Sequence, residues 1–492
     1  MFVRLWENKR IFGNINAFFE NKRNVFLLIL FLVLITRIPF LNSGFGLDGD
    51  AWIVEEVAHT ISEQHRYTAS RTPGYPVFEF LSSLVIKLGP IGTNTMVMLF
   101  SIGAFLAFTD LCYLTKTDHP ILLAITFVLF PFAWINSMNG MDYMVALFFI
   151  LLAFVLVWRG KIGWAGVSLG VAIGTRCTSV IFVLPLLFYI YKKESIKKSL
   201  AFLIIASVTA LISFAPVIYN YGFNYLLSPA GLSKSNQTLQ SGYFILLFFG
   251  ILPSMFFISY FVKANSKIRK NFVHYFNENR TEAITFLSAI ILVIGAFMHY
   301  PNQPSYLLPI FPFILLILPK ILKNKKILLL LCILIILTGI VSVNIGKVDL
   351  LHCENKFSLG ISTGGVIQTI IHRSNQIDNL RSLYEINMTD CVIMVSVTEA
   401  PIYSKYYREK WNIHLQEEGS HHWNRINSSK NVIYATYLSK PKLEYYISNG
   451  YHVYYSPLAN YFNHNFYGYK IMDMRNTTKL EIKKATYFYL YE

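Results

Sequence analysis

Charged residues are scarce in this sequence. Only 14% of the 492 residues are Asp, Glu, Lys or Arg, while 54% are hydrophobic. Apolar runs of membrane-spanning length recur from about residue 24 to about residue 346, and a soluble domain of this size would not need so many of them. The composition therefore excludes an ordinary soluble protein and predicts an α-helical polytopic membrane protein in a lipid bilayer.

Acidic residues are fewer than basic residues. The chain has 27 Asp and Glu against 43 Lys and Arg, which gives a formal net charge of +16. The cations cluster in short segments between apolar runs, which is the positive-inside pattern of membrane proteins. Attraction to lipid headgroups accounts for this excess, so we predict no nucleic-acid partner.

Cysteine is also too rare to form a disulfide framework. Three of the five cysteines lie in apolar runs, where they are expected to act as packing residues. Cys353 and Cys391 lie in the C-terminal part of the chain and could pair only if that part is outside the cytoplasm. The cysteines therefore assign no function.

The basic clusters determine the expected topology. The five Lys and Arg within residues 1–23 place the N-terminus in the cytoplasm. No cleavage pattern follows the first apolar run, so we expect a retained anchor. Residues 76–88 are read as an interfacial helix, because this choice places all the later basic clusters in the cytoplasm. The chain then has about 11 transmembrane helices and an extracytoplasmic C-terminus, which predicts the plasma (inner) membrane as its location.

A change of composition divides the chain into two predicted domains. Residues 1–347 form a transmembrane catalytic domain, with a first external loop at 41–92. From residue 348 to 492, polar residues, Tyr and His become more frequent and the apolar runs shorten, which predicts an extracytoplasmic α/β domain. The expected strands are 391–397, 432–437 and 451–455, and the expected helices are 399–411 and 441–448.

The first external loop holds most of the acidic residues of the N-terminal half. It contains Asp48 and Asp50 at a glycine-punctuated turn after helix 1. Charges at a membrane boundary indicate a functional site, and a carboxylate there can accept a proton from an attacking hydroxyl. Either Asp could instead cap the helix that begins near Ala51. We assign Asp50 as the catalytic base and Asp48 to capping or support.

Arginines expected on the same side can bind a departing phosphate. A guanidinium group presents a planar fork that matches phosphate oxygens. Arg71 and Arg176 are the main candidates, although Arg176 could equally be a structural residue of its turn. Arg37 near the outer end of helix 1 could bind phosphate or extend towards headgroups. Asp142 is read either as a substrate contact or as a residue that starts a helix.

Four short motifs follow one another along the apolar part of the chain. They are Leu47-Asp48-Gly49-Asp50-Ala51-Trp52, Arg71-Thr72-Pro73-Gly74-Tyr75-Pro76, the glycine-rich run from Gly166 that ends in Gly174-Thr175-Arg176, and Tyr306-Leu307-Leu308-Pro309. Their order and spacing resemble the GT-C fold glycosyltransferases, which include protein O-mannosyltransferases and the aminoarabinose transferases of lipid A. The resemblance covers the transmembrane part of the chain.

The resemblance implies transfer of a sugar from a polyprenyl-phosphate carrier. Asp50 matches the first acid of the family's Asp-Glu motif, while Ala51 stands at the second, so the role of the second acid is either taken by Asp48 or absent. Ser305 stands where an Arg usually precedes the Tyr-Leu-Leu-Pro motif, so one phosphate contact is either missing or supplied by His299. Relatives differ in needing a divalent metal, so the metal is left open and no other cofactor is predicted. The candidate substrate-binding residues are Arg71, Tyr75, Asp142, Arg176, His299 and Tyr306.

The expected function is that of an inverting glycosyltransferase of the cell envelope. It would move a sugar, mannosyltransferase-like or otherwise, from the lipid carrier to a hydroxyl acceptor on a protein, a lipid or a surface glycan. The alternative is a membrane transporter or lipid flippase without glycosyl transfer. Transporters place charged residues near the bilayer midplane and are often built from repeats. The sequence shows no repeat and places its acids at the surface, which favours the transferase.

Overall fold

The computed structural model describes residues 21–46, 49–227, 237–301 and 303–340, and shorter segments between residues 344 and 491. Helices make up the part up to residue 340, and strands dominate the described segments after it. The helices are α1 Lys22–Arg37, α2 Gly49–Gln64, α3 Pro76–Val85, α4 Gly89–Leu114, α5 Pro120–Leu129, α6 Pro131–Asn136, α7 Tyr143–Trp158, α8 Ile162–Thr175, α9 Val183–Lys193, α10 Ile196–Tyr221, α11 Phe223–Leu227, α12 Gln237–Phe249, α13 Ile251–Lys263, α14 Asn265–Glu278, α15 Arg280–His299, α16 Phe311–Leu322, α17 Lys325–Ile340 and α18 Lys440–Ser448.

Several of these helices have the length and composition of membrane spans. Within the described residues, 5 helical segments qualify, or 6 if α12 and α13 count as one span bent by 93° at Gly250. The predicted multi-span helical membrane protein is therefore confirmed, while the full number of about 11 spans stays a prediction. The qualifying segments are Lys22–Phe40, Pro76–Leu114, Ile196–Tyr221, Arg280–His299 and Pro304–Leu322.

The segment from Pro76 to Leu114 is helical almost throughout, with a 3-10 turn at Ile86–Leu88. Leu84 and Leu88, on the apolar face of its first part, are 69% and 70% exposed. Glu79 and two serines on this helix are buried instead. This arrangement fits a helix in contact with lipid, which turns apolar side chains outwards and polar ones towards the protein interior.

The segments predicted to be external meet at one end of the helix bundle. Asn136 donates a hydrogen bond to Ser305 over 3.1 Å, and the Ala69 N–H donates to the Tyr221 hydroxyl over 3.1 Å. At the opposite end, Arg159 pairs with Asp110 over 2.6 Å. The convergence predicted from the basic clusters is thus present, and the side of the membrane that each end faces stays a prediction.

The C-terminal strands form two sheets. They are β1 Asn344–Lys347, β2 Lys356–Ser358, β3 Cys391–Met394, β4 Trp411–Asn412, β5 Asn424–Asn427, β6 Val432–Ala435, β7 His452–Tyr455, β8 Thr477–Lys483 and β9 Thr486–Tyr491. A 2-stranded sheet pairs β1 with β2, and the 7-stranded sheet has the order β4-β5-β6-β3-β7-β9-β8. The central strands β6, β3 and β7 are parallel, which confirms the predicted strands. The helix predicted at 399–411 lies largely outside the described residues, although Trp411 belongs to β4.

The central strand β3 contributes to two apolar cores. Successive side chains of a strand point to opposite faces of its sheet. Val392 and Met394 pack with Leu443 of α18, whereas Cys391 and Ile393 pack in the core formed by the membrane helices. The sheet therefore lies between α18 and the helix bundle.

Candidate active site

Asp50 lies in the first turn of α2. The neighbouring Trp52 is buried and donates its indole N–H to the Gly46 carbonyl over 2.9 Å, which fixes the start of the helix against the core. The carboxylate of Asp50 is 36% exposed, and the adjacent helix N-terminus favours its negative charge. Asp48, the second predicted acid, lies outside the described residues.

Asp142 immediately precedes α7 and is fully buried. The predicted helix-start position is therefore present, but the side chain makes no capping hydrogen bond. Its Oδ1 lies 2.9 Å from Nη2 of Arg71, and its Oδ2 lies 2.7 Å from Nη1 of Arg176. One buried carboxylate thus joins two arginines that are far apart in the sequence.

Arg71 connects the two acids. Its Nε lies 3.2 Å from Oδ2 of Asp50, while Nη2 pairs with Asp142. The guanidinium carbon stands 3.8 Å from the ring centre of Tyr75, a cation–π contact. Burial alone lowers the pKa of Arg71, but the charge of Asp50, together with that of Asp142, raises this pKa well above its ordinary value. The side chain is therefore a permanent cation.

Arg176 follows the last residue of α8 in an extended conformation. Its guanidinium carbon lies 4.4 Å from the ring centre of Tyr143 and 4.7 Å from that of Tyr306. These rings and the ion pair with Asp142 fix the orientation of the fork. Burial lowers the pKa of Arg176, and the carboxylate of Asp142 outweighs this effect and raises it well above its ordinary value.

A cavity of about 90 Å³ opens beside Arg176. Its polar wall contains Tyr143, Tyr300, Ser305 and Tyr306, and the rest of its lining is mainly apolar. Ser179 also lines the cavity, and its buried hydroxyl has no hydrogen-bond partner within the described part of the chain. The cavity thus combines a cationic, hydroxyl-bearing end with an apolar interior. The apolar lining includes Ala146, Ile150, Ile181, Phe182, Val293, Ala296, Phe297 and Leu308.

The structure brings together most of the side chains that the sequence indicated. Those in one cluster are Asp50, Arg71, Tyr75, Asp142, Arg176 and Tyr306. His299 is exposed at the end of α15 and lies outside this cluster, while its neighbour Tyr300 lines the cavity. Neither Tyr300 nor Tyr143 was identified from the sequence. The position of Tyr143 next to Asp142, at a predicted external turn, was a signal that could have indicated it.

The described carboxylates do not fit a divalent metal site. Within the residues that the structure describes, no group of three or more His, Cys, Asp or Glu side chains is placed to hold a metal ion. Asp50 and Asp142 each face an arginine, whose positive charge opposes a bound cation.

Arg37 has a structural position rather than either of the two roles considered from the sequence. It is fully buried, and its Nε donates to the Ser137 hydroxyl over 3.2 Å. Its Nη2 donates to the carbonyl of Val128, close to the break between α5 and α6 that precedes Pro131. The end of a helix leaves backbone carbonyls without helical partners. Arg37 therefore stabilises this interruption between the two helices.

We expect Arg37→Met to destabilise the protein by about 1–3 kcal/mol, because it leaves the Val128 carbonyl without its buried donor. The measurement is thermal unfolding of the purified protein in detergent. Arg66→Met is the control, since Arg66 is exposed after α2. Equal melting temperatures for the two variants would contradict the assigned role of Arg37.

Comparison with known proteins finds similarity in three-dimensional structure only. No protein-family model matches the chain, and no curated protein matches it in sequence. The crystal structure of ArnT from Cupriavidus metallidurans in the apo state is similar with a TM-score of 0.55 at 11% identity, covering 94% of this chain and 97% of that chain. The structure of the same protein bound to undecaprenyl phosphate is similar with a TM-score of 0.53 and the same coverage. The chain therefore has the fold of ArnT, in agreement with the GT-C fold that the sequence motifs predicted.

Proposed function

We propose that this protein is an inverting glycosyltransferase that moves a sugar from a polyprenyl-phosphate carrier to an extracytoplasmic hydroxyl acceptor. The observation that carries the proposal is the cluster in which Asp142 joins Arg71 and Arg176, with Asp50 beside Arg71. The fold likeness to ArnT, one structure of which contains undecaprenyl phosphate, supports a carrier of this chemical class.

Exposure distinguishes the roles of the two carboxylates. Both oxygens of Asp142 are occupied by arginines and its side chain is fully buried, whereas that of Asp50 is 36% exposed. A general base must reach the proton that it accepts. Asp50 is therefore the base in this proposal, and Asp142 holds the arginines in place.

The reaction is a single displacement at the anomeric carbon. Asp50 accepts the proton of the acceptor hydroxyl while the oxygen of that hydroxyl forms the new bond to the anomeric carbon. The bond between the anomeric carbon and the phosphate oxygen breaks, and the electron pair leaves with the phosphate. Arg176 and Arg71 offset the charge that develops on this leaving group. Attack opposite the leaving group inverts the anomeric centre.

The cavity beside Arg176 suits the part of the carrier next to its phosphate. Arg176 and the tyrosines stand at its polar end, and side chains such as Phe182 and Phe297 supply an apolar wall. A lipid phosphate has the same order of chemistry, with a charged group followed by hydrocarbon. Burial of that hydrocarbon adds favourable binding energy.

The proposed function is tested with purified protein in lipid vesicles. The substrates are synthetic polyprenyl-phosphate sugars and an extract of envelope glycans as acceptor. Mass spectrometry should show loss of the lipid-linked sugar, release of polyprenyl phosphate and a new glycosidic bond. Movement of the lipid-linked sugar across the vesicle membrane without any new bond would overturn the proposal in favour of a flippase.

Arg176→Lys is expected to lower kcat/KM for the lipid donor by roughly 10- to 100-fold, because lysine keeps the charge but loses the fork and the stacking between two tyrosines. The measurement is initial rate against donor concentration. Arg159→Lys at the opposite end of the bundle is the matched control, since Arg159 also pairs with an aspartate. A similar small change in both variants would argue against phosphate binding by Arg176.

A further inference from the structure

Arg71 is carried by an irregular segment between α2 and α3. This segment, residues 65–75, contains neither helix nor strand, so its conformation depends on side-chain contacts. Glu79, in the α3 helix that follows, is fully buried directly beside it. None of the motifs recognised in the sequence includes Glu79.

The carboxylate of Glu79 accepts hydrogen bonds from both halves of this segment. Its Oε1 accepts the Ser70 N–H over 2.7 Å and the Ser70 hydroxyl over 2.6 Å. Its Oε2 accepts the Tyr67 hydroxyl over 2.6 Å and the Tyr75 N–H over 3.3 Å. The donors lie on either side of Arg71 in the chain, so one carboxylate restrains the backbone that carries the guanidinium.

Helix capping alone does not account for this arrangement. Of the donors, only the Tyr75 N–H belongs to the start of α3, and its hydrogen bond is the longest. The shorter bonds come from Tyr67 and Ser70, which lie well before the helix. Ser70 immediately precedes Arg71, and Nη1 of Arg71 lies 3.4 Å from the Ser70 hydroxyl oxygen.

We propose that Glu79 is a positioning residue for the phosphate site. It fixes the segment 65–75 so that the guanidinium of Arg71 meets both Asp50 and Asp142. The inference rests on the proposed function of Arg71, and Glu79 itself touches neither substrate nor the reacting atoms. Its effect on lipid binding is therefore expected to pass through Arg71 and the Tyr75 ring stacked on it.

The test compares Glu79→Leu, Glu79→Gln, Arg71→Ala and the double variant Arg71→Ala/Glu79→Leu. Two readouts are used: binding of undecaprenyl phosphate in nanodiscs, and hydrogen–deuterium exchange of residues 65–75. We expect Glu79→Leu to weaken lipid binding by roughly 10- to 100-fold, the loss typical of a hydrogen bond to a charged group. The double variant should bind no more weakly than Arg71→Ala, and exchange should rise by about tenfold when the hydrogen bonds are lost.

Glu63→Gln is the control, because Glu63 is 61% exposed just before the segment and pairs with His59 instead. If Glu79→Leu does not fold, the near-isosteric Glu79→Gln carries both readouts, with a smaller expected change in the same direction. Additive losses in the double variant, or unchanged exchange, would overturn the role of Glu79. If the wild-type protein does not bind the lipid, the proposed function fails, while the exchange data still decide whether Glu79 holds the segment.

Discussion

Asp50→Asn should lower the transfer rate by about 100- to 10,000-fold, the usual contribution of a general base. Asparagine has nearly the same shape, and its amide oxygen can still accept from Nε of Arg71, which lies 3.2 Å from the native carboxylate. The asparagine amide cannot take the proton of the acceptor hydroxyl while the glycosidic bond forms. The variant should therefore bind donor normally but turn it over very slowly. The measurement is kcat at saturating donor, together with lipid binding in nanodiscs.

The shape of asparagine allows stability and catalysis to be measured separately. Because its amide oxygen can keep the contact with Arg71, the thermal unfolding of Asp50→Asn should stay close to that of the wild type. Glu56→Gln supplies a comparison at another carboxylate of the same helix. Undiminished transfer by Asp50→Asn would refute the assignment of the base, whereas a lost fold would show that Asp50 is structural.

Asp142→Asn should damage the protein in a different way. Removal of this buried charge leaves Arg71 paired with Asp50 alone, and leaves Arg176 without an ion-pair partner, among the residues that the structure describes. Breaking a buried ion pair on one side typically destabilises a protein by about 3–5 kcal/mol. We expect a lower melting temperature together with loss of transfer, measured on the same preparation.

A double variant separates charge imbalance from lost contacts. Asp142→Asn combined with Arg176→Met removes one cation along with the anion, so part of the lost stability should return while activity does not. Such recovery is the non-additivity expected of residues in one network. Wild-type stability in Asp142→Asn alone would contradict the role of this carboxylate as the bridge between the arginines.

The sequence allowed several parts of the site to be predicted because charges stand out in an apolar chain. Asp50, Arg71 and Arg176 were recognisable in this way, and their common side followed from the distribution of basic clusters. The bridging role of Asp142 was not predictable, because its partners lie 71 and 34 positions away in the chain. His299, one alternative offered by the sequence for a phosphate contact, is exposed at the end of α15, and its neighbour Tyr300 lines the cavity.

Burial in a membrane protein explains two further features that were not predictable from the sequence. The apolar pattern of α3 does not show that Glu79 is fully buried while Leu84 is exposed. Arg37 gave a similar difficulty, because a cation near the end of a span is usually read as reaching towards headgroups. Its partners, the Val128 carbonyl and Ser137, become apparent only once the break between α5 and α6 is seen.

The shared strand β3 has a practical consequence for dissecting this molecule. The membrane helices, rather than α18, cover Cys391 and Ile393 of β3 and Val432 of the adjacent strand β6. A fragment that begins near residue 348 would expose these side chains to water as a contiguous apolar surface. Such surfaces promote aggregation. Studies of the C-terminal half in isolation would thus need polar replacements along that face, and the intact chain is the better starting material.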